Sequence, residues 1–250
     1  MALKGRTALV TGGGSGIGAA IAKALSADGA RVMLAGRRLA RLEGVALDIE
    51  AQGGRVVFEA CDVADPDQCG RLVDSALRRL GRLDILVNNA GIVAHGKLMA
   101  AYTCDEWDTV MNTNVRSSFL LAKAAIPAMV EQGGGHVVNI SSVSGIRHYA
   151  GESIYGISKH ALNALTRFIT EEYGSRGIRA LAICPGLTNT DMGLSLKPER
   201  HERLLVPEDI AEAVVWALGQ RPPVRIEGPI VLEPREDPWD GKWLPTRESD

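Results

Sequence analysis

Short apolar runs alternate with longer segments of helical spacing along most of the chain. Residues 7–12 (TALVTG) and 31–35 (RVMLA) have the nearly continuous apolar character of strands buried on both faces. Between them, apolar residues recur every three or four positions, which predicts a helix at residues 17–28. The same pattern predicts strands at residues 55–59, 84–87, 136–140, 178–183 and 229–232, and helices at residues 39–51, 67–80, 105–129, 153–173 and 207–218.

This alternation of strands and helices defines the expected fold class. Apolar strands separated by helices are typical of βαβ units, in which helices cover both faces of a parallel sheet. We therefore predict an α/β fold, a Rossmann-like, doubly wound, mainly parallel seven-stranded sheet with helices on both faces. One domain is expected over residues 1–250, with its core in residues 5–232 and an extended tail in residues 233–250 that contains Trp239 and Trp243.

Charge and composition narrow the classes of partner. The formal net charge is −2 at pH 7, so nothing favours nucleic acid or an anionic membrane surface. No stretch of the sequence approaches the roughly 18 apolar residues of a transmembrane helix. The four cysteines form no CxxC pair and have no histidine cluster nearby, which indicates reduced thiols, no metal site and a cytoplasmic location.

A glycine-rich segment follows directly after the first predicted strand. Gly12, Gly16 and Gly18 lie in TGGGSGIG, where the strand passes into the first predicted helix. Glycines tolerate positive φ and let backbone N–H groups approach a pyrophosphate, and a helix N-terminus adds partial positive charge. A purely structural glycine-rich loop is the alternative, but the position between strand and helix favours nucleotide binding.

The end of the second predicted strand bears on which nucleotide binds. An acidic residue at this place would bind the ribose 2′-hydroxyl of NAD, but this chain has Arg37 and Arg38 there. An arginine can pair with the 2′-phosphate of NADP. NADP(H) is therefore favoured, with NAD(H) as the alternative if both arginines are only solvated charges at the start of the second helix.

A tyrosine and a lysine lie one helical turn apart in Tyr155-Gly-Ile-Ser-Lys159. At this spacing the phenol and the ammonium group share one face of the helix. A free tyrosine has a pKa of about 10, and a nearby cation lowers that value, which makes the phenol a usable acid and base. Taken alone, the spacing is common and is more often that of a surface pair than of a catalytic pair.

Several motifs in a fixed order give the chain a resemblance to a known family. They are Thr11-Gly-Gly-Gly-Ser-Gly-Ile-Gly18, Asn88-Asn-Ala-Gly91, Asn114 in NVRSSF, Ser142 in NISSVSG, Tyr155-x-x-x-Lys159 and Pro185-Gly-Leu-Thr-Asn-Thr190. With this set, the chain resembles the short-chain dehydrogenase/reductase family over residues 5–232. It departs from the family after the last strand, where IVLEPREDPW stands in place of the DGG of many members.

The resemblance implies an NAD(P)-dependent oxidoreductase that transfers a hydride between nicotinamide and a ketone or secondary alcohol. Tyr155 would pass the proton to or from the substrate oxygen, and Ser142 would hydrogen-bond that oxygen. Lys159 would lower the pKa of Tyr155 and hold the nicotinamide ribose. Asn114 would hold a water in a proton relay through Lys159, and an asparagine at a helix kink is the alternative interpretation.

The resemblance also implies which residues hold the cofactor. Asp62 would face the adenine, residues 89–91 would line the adenine ribose, and Thr188 and Thr190 would reach the carboxamide and the phosphates. The expected set is Gly12, Ser15, Gly16, Ile17, Gly18, Arg37, Arg38, Asp62, Val63, Asn89, Ala90, Gly91, Tyr155, Lys159, Pro185, Gly186, Thr188 and Thr190.

The expected substrate is a small carbonyl or alcohol compound, bound between three segments of the chain at residues 92–97, 143–151 and 187–196. The candidate contacts are His95, Ser142, Arg147, Tyr149, Leu187 and Met192. One hypothesis is that Arg147 or His95 pairs with an acidic group of the substrate. The alternative is that both are solvated loop residues.

The sequence leaves two alternative functions and the oligomeric state to be considered. A non-catalytic nucleotide-sensing protein on this fold usually lacks the tyrosine or the lysine, and both are present here. A nicotinamide-dependent epimerase or lyase tends to be longer than 250 residues. The resemblance suggests a homotetramer, or a homodimer, built partly on the helices predicted at residues 105–129 and 153–173.

Overall fold

The computed structural model of the protein describes residues 1–221 and 224–239. Its strands are β1 Thr7–Thr11, β2 Arg31–Gly36, β3 Arg55–Ala60, β4 Ile85–Asn88, β5 Gly135–Ile140, β6 Ile178–Pro185 and β7 Ile230–Leu232. They form one seven-stranded sheet in the order β3-β2-β1-β4-β5-β6-β7, and every neighbouring pair is parallel. The predicted doubly wound α/β sheet is thereby confirmed.

Helices cover both faces of this sheet. They are α1 Gly16–Ala27, α2 Leu39–Ala51, α3 Pro66–Leu80, α4 Cys104–Met111, α5 Ser117–Glu131, α6 Ser153–Tyr173, α7 Asp191–Ser195 and α8 Pro207–Leu218. Their ends follow local chemistry, as α3 illustrates. The Asp65 carboxylate accepts a hydrogen bond from the Asp67 N–H at 2.9 Å, Pro66 takes the first helical position, and Gly81 ends the helix with a φ of 82°.

The single long helix predicted at residues 105–129 needs a correction. The chain stays helical there, but a π-helical turn, Asn112–Arg116, separates α4 from α5. Such a turn inserts one residue into the helix, and apolar spacing alone does not reveal it. The insertion lets the Asn114 side chain bond to the loop after β4: its Oδ1 accepts from the Ile92 N–H at 2.8 Å, and its Nδ2 donates to the Ile92 carbonyl at 2.9 Å.

Two apolar cores lie on the two faces of the sheet. One core packs α1, α2 and α8 against the strands and includes Leu25. The other packs α3, α5 and α6 on the opposite face and includes Leu72. Because successive side chains of a strand point to opposite faces, Val10 and Leu9 of β1 belong to different cores. The central strands are therefore buried on both sides.

A crevice is expected where the strand order reverses, between the neighbours β1 and β4. From this pair, β2 and β3 extend to one side and β5 to β7 to the other. Open parallel sheets bind ligands at the carboxyl ends of their strands at such a point. The segments that follow β1, β4, β5 and β6 meet there, and residues 233–239 of the predicted tail line the same crevice. Trp243 lies outside the described residues.

Candidate active site

The glycine-rich turn between β1 and α1 has a backbone that only small residues permit. Gly12 and Gly16 have φ values of 65° and 51°. A Cβ on Gly18 would overlap the Gly12 carbonyl oxygen, and a Cβ on Gly12 would lie 2.7 Å from the Asn89 amide. The Ser15 side chain does not cap α1, and Gly16 and Ile17 at the start of this helix line the crevice. The turn is therefore shaped to hold an anion.

Thr11 and Asn89 bind this turn to the end of β4. The Thr11 hydroxyl donates to the Val87 carbonyl at 3.2 Å and accepts from the Asn89 N–H at 3.1 Å. The Asn89 side-chain amide donates in turn to the Thr11 carbonyl at 2.9 Å. These hydrogen bonds fix the distance between the two strand ends that bound the crevice.

Arginines stand at the nucleotide end of the cleft. Arg37 and Arg38 are exposed at the end of β2 and line the cleft, and the Arg38 guanidinium donates to the Ser15 hydroxyl at 3.2 Å. Arg41, in the first turn of α2, lines the same space. The sequence interpretation missed Arg41, although its position one helical turn beyond Arg37 could have revealed it.

Tyr155 lies in the first turn of α6 and is 9% exposed. Ser142, which begins the short turn after β5, lines the same cleft as Tyr155. Burial raises the pKa of the Tyr155 phenol to about 12, and Ser142 opposes part of that shift. The phenol is therefore protonated at neutral pH.

Lys159 follows one turn later, with its Nζ 5.6 Å from the centre of the Tyr155 ring. The Nζ donates to the Ile140 carbonyl at 2.9 Å, and burial lowers the pKa of this ammonium group to about 8. The sequence led us to expect that Lys159 lowers the pKa of Tyr155. In the protein by itself, desolvation of the phenol is the larger effect and acts in the opposite direction.

The start of α6 is held rigidly against the loop after β5. The Ser141 hydroxyl donates to the Lys159 carbonyl at 3.1 Å, and the Asn163 side-chain amide donates to the Gly145 carbonyl at 2.9 Å. Deeper in the sheet, the Asn139 side chain donates to the Thr166 hydroxyl at 2.8 Å. These contacts set the positions of the side chains at the top of α6.

Most of the predicted site residues line one continuous cleft of about 1250 Å³. Those along its nucleotide half are Gly12, Ser15, Gly16, Ile17, Arg37, Arg38, Asp62, Val63, Asn89, Ala90 and Gly91. Those along its other half are Ser142, Arg147, Tyr149, Tyr155, Lys159, Pro185, Gly186, Leu187, Thr188, Thr190 and Met192. The structure therefore brings together residues that are more than a hundred positions apart in the sequence.

Three predicted residues do not line this cleft. Gly18 packs beneath the turn against Gly12, so its role is to permit close backbone contact. Asn114 is buried behind the cleft, where its amide also donates to the Ser158 hydroxyl at 3.0 Å, and the side chain is thereby satisfied by protein groups. His95 lies on an exposed loop, and Ile92 and Val93 of that loop line the cleft instead.

Arg147 lines the cleft but already has an acidic partner within the chain. Its guanidinium pairs with both carboxylate oxygens of Glu233, with Nη2 and Oε2 2.7 Å apart. This ion pair joins the loop after β5 to the segment after β7. An acidic group of the substrate would therefore have to compete with the Glu233 carboxylate to bind Arg147, as the sequence hypothesis requires.

Two features of the cleft were missed from the sequence. One is the segment 233–239, which lines it, and the other is Glu152, a buried carboxyl group next to Tyr155. An acidic residue three positions before the tyrosine is visible in the sequence, but nothing in the pattern indicates that it is buried.

Across residues 1–221 and 224–239, no helix is long and apolar enough to cross a membrane. The same part of the chain contains no group of three or more His, Cys, Asp or Glu side chains placed to hold a metal ion. The cytoplasmic location stays a prediction.

Comparisons with known proteins agree with this geometry. Residues 6–201 match the family model described as short chain dehydrogenase. An uncharacterized oxidoreductase of Staphylococcus aureus (strain USA300) is 37% identical over 87% of this chain and 93% of its own length. A glycine betaine reductase of Emericella nidulans is 37% identical over 94% of this chain but only 19% of its own length.

A solved structure of similar fold supports the same assignment. It is a short chain dehydrogenase from Burkholderia cenocepacia in complex with NADP, with a TM-score of 0.85 and 34% identity over 93% of this chain and 98% of that one. The chain belongs to the short-chain dehydrogenase/reductase family and is an oxidoreductase of that type.

Proposed function

We propose that this enzyme transfers a hydride between NADP(H) and a ketone or secondary alcohol, with Tyr155 as the acid and base. The observation that carries the proposal is the buried Tyr155 phenol, which lies in one cleft with Ser142, Lys159 and the glycine turn. An anion-binding turn and a buried proton donor in one cleft are what a nicotinamide-dependent reduction requires.

The residues at the nucleotide half suit a dinucleotide. The free N–H groups at the start of α1 and the crowded backbone at Gly12 and Gly18 suit a pyrophosphate. Arg37 and Arg38 provide exposed guanidinium groups for a 2′-phosphate, which favours NADP(H), with NAD(H) as the alternative. We assign the adenosine side to Asp62, Val63, Asn89, Ala90 and Gly91, and the nicotinamide side to Pro185, Gly186, Thr188 and Thr190.

The proposed chemistry follows from the positions of three side chains. The bound nicotinamide supplies or accepts the hydride. Ser142 donates a hydrogen bond to the carbonyl oxygen of the substrate, and Tyr155, protonated at neutral pH, gives its proton to that oxygen as negative charge develops there. Lys159, held by the Ile140 carbonyl, places a positive charge beneath the phenol and stabilises the phenolate that remains.

Asn114 is proposed as a positioning residue. Its side chain joins Ile92 to Ser158, and the Ser158 hydroxyl donates to the Tyr155 carbonyl at 2.6 Å. This connection sets the height of the first turn of α6 above the sheet. The proposed proton relay through Asn114 and Lys159 stays a prediction.

The remaining lining residues and one relative bear on the substrate and on the direction of the reaction. Tyr149, Leu187 and Met192 give the substrate half a mixed apolar and aromatic surface suited to a small carbonyl compound. One relative is named a glycine betaine reductase, which supports reduction as the direction.

Replacement of Tyr155 tests this function. We expect Tyr155→Phe to lower kcat/KM for ketone reduction on the order of a thousandfold, because general acid catalysis is lost while the ring is kept. The measurement is the absorbance of the reduced nicotinamide with a panel of ketones, beside nucleotide binding followed by fluorescence. Tyr173→Phe, at the far end of α6, is the matched control.

The same assay distinguishes the proposed ketone reduction from the two alternative functions. A non-catalytic nucleotide sensor would bind NADPH but turn over no ketone. An epimerase or lyase would convert its substrate without net oxidation of the nucleotide. Full turnover by Tyr155→Phe would show that the proposed mechanism is wrong.

We also propose that the enzyme is a homotetramer or a homodimer built on α5 and α6. Phe119 on α5 and Phe168 on α6 are 49% and 64% exposed. Large apolar side chains this exposed on neighbouring helices are typical of surfaces that a second subunit covers. Light scattering of Phe168→Glu tests this: a shift to monomer is expected, and an unchanged mass would exclude α6 from the interface.

A further inference from the structure

Glu152 is a buried carboxyl group in the cleft to which the proposed mechanism gives no role. It directly precedes α6, three residues before Tyr155, and is 6% exposed. Its Oε2 accepts a hydrogen bond from the Ser144 hydroxyl at 2.8 Å. Within the described ranges no hydrogen bond reaches Oε1, and the side chain lines the cleft.

No cation from the described part of the chain compensates this carboxylate. Burial raises the pKa of Glu152, and the hydrogen bond from Ser144 is what opposes the shift. Arg147 is engaged by Glu233, and Lys159 donates to the Ile140 carbonyl. A buried carboxylate without a counter-charge is costly. A ligand that brings a positive charge to this place removes the cost.

Glu152 also acts on Tyr155 through its charge. The carboxylate raises the pKa of the Tyr155 phenol, as it does that of Tyr102. A phenol whose ionisation is opposed in this way is a weaker proton donor. A cation that neutralises Glu152 therefore also makes Tyr155 a stronger acid.

We propose that Glu152 is the subsite for a protonated amine of the substrate, so that the enzyme reduces amino ketones or oxidises the matching amino alcohols. This inference rests on the proposed function. The ammonium group donates to Oε1 of Glu152 while the carbonyl oxygen of the same molecule meets Ser142 and Tyr155. In reduction, the carbonyl carbon gains the hydride of the nicotinamide and the oxygen gains the Tyr155 proton, and the amine is unchanged.

The test compares two ketones of equal size on the full-length enzyme with NADPH. Aminoacetone carries an ammonium group where butanone carries a methyl group. We expect kcat/KM to favour aminoacetone by about 30-fold, the order expected for a charge-assisted hydrogen bond. In Glu152→Gln we expect this ratio to fall to about one, with a slower reaction of aminoacetone and a faster reaction of butanone.

Glu172→Gln is the matched control, because Glu172 is an exposed carboxylate of α6 outside the cleft. The aminoacetone preference is expected to stay within about twofold of the original value in this variant. An equal loss of preference in both variants would mean that the general negative potential of the protein, and not Glu152, selects the amine. A preference that survives in Glu152→Gln would overturn the inference.

A binding measurement separates failure of the subsite from failure of the proposed chemistry. Propylammonium ion and propanol, which contain no carbonyl group to accept a hydride, are titrated into the enzyme loaded with NADPH and into Glu152→Gln loaded in the same way. Tighter binding of propylammonium that depends on Glu152 supports the subsite even if no ketone is reduced. Reduction of both ketones without any charge preference, or equal binding of both probes, rules the subsite out.

Discussion

The two halves of the cleft are built in different ways. The centre of the nucleotide half is one short segment, the turn from β1 into α1, whose shape comes from the backbone at Gly12, Gly16 and Gly18. The substrate half is assembled from the loops after β4, β5 and β6 and from residues 233–239. Its shape depends on side chains such as Glu152 and on the exposed Arg147–Glu233 ion pair.

This difference determines which amino-acid substitutions each half of the cleft tolerates. The glycine turn has close backbone contacts that leave no space for a side chain at Gly12 and Gly18, so a single methyl group there is disruptive. In the substrate half, charged and aromatic side chains can be replaced by others without moving the backbone. One half can therefore stay constant while the other adapts to a substrate.

The largest effect is expected in the turn. Gly18→Ala should weaken nucleotide binding on the order of a thousandfold, about 4 kcal/mol, because the new Cβ would overlap the Gly12 carbonyl oxygen and displace the start of α1. Calorimetric titration with NADPH measures this. Gly44→Ala, in α2 where a Cβ meets no atom within 4 Å, is the control and should raise stability by about 0.5–1 kcal/mol. Wild-type affinity in Gly18→Ala would show that the turn is not constrained.

The next largest effect is expected for replacement of Lys159, and it concerns how the free energy of unfolding depends on pH. Burial lowers its pKa from 10.5 to about 8, so between these values the unfolded chain holds a proton that the native protein has released. The native state of the wild type therefore gains stability, relative to Lys159→Met, as the pH rises through this window, by up to about 3 kcal/mol. Denaturant unfolding at pH 7.5 and pH 10.5 measures the difference.

Lys123→Met is the control for this experiment, because Lys123 is an exposed lysine of α5. Its effect on stability should change little between the two pH values. A difference between wild type and Lys159→Met that is independent of pH would contradict the burial of a charged lysine at this place.

A smaller effect is expected for the arginines that favour NADP(H). Arg38→Ala should lower kcat/KM for NADPH by about 10- to 50-fold and leave that for NADH nearly unchanged, since only NADPH carries the 2′-phosphate. Arg55→Ala, which removes an exposed arginine at the start of β3, should leave the ratio of the two cofactors as it is. Equal losses for both cofactors would point to a role of Arg38 in holding Ser15 instead.

The smallest effect is expected at the Arg147–Glu233 ion pair. Both side chains reach solvent, with exposures of 55% and 31%, and exposed ion pairs contribute little to stability. Arg147→Gln should therefore shift the melting temperature by no more than about 2 °C, and high salt should remove the shift. A shift of several times this size would mean that the pair fastens the segment after β7 to the rest of the fold.

Particular residues explain which predictions succeeded. Most strands and helices were placed closely because the central strands, such as β1 and β4, are buried along their whole length and because some helices have local end signals, such as Asp65 and Gly81 of α3. The π turn at Asn114 was missed because one inserted residue barely disturbs the apolar spacing. Glu152 was missed because nothing in the sequence around it indicates that its side chain is buried and faces the cleft.

The sequence by itself determined the order of strands and helices, the glycine turn and the Ser142, Tyr155 and Lys159 pattern. Each of these features can be read from a short stretch of the chain, and even Ser142 is only 13 positions from Tyr155. Tertiary structure alone decided that Arg147 meets Glu233, that Asn114 bonds to Ile92, and that Glu152 lacks a compensating cation among the described residues. Such contacts join segments far apart in the chain, and burial is a property of the packed molecule that no short stretch of sequence contains.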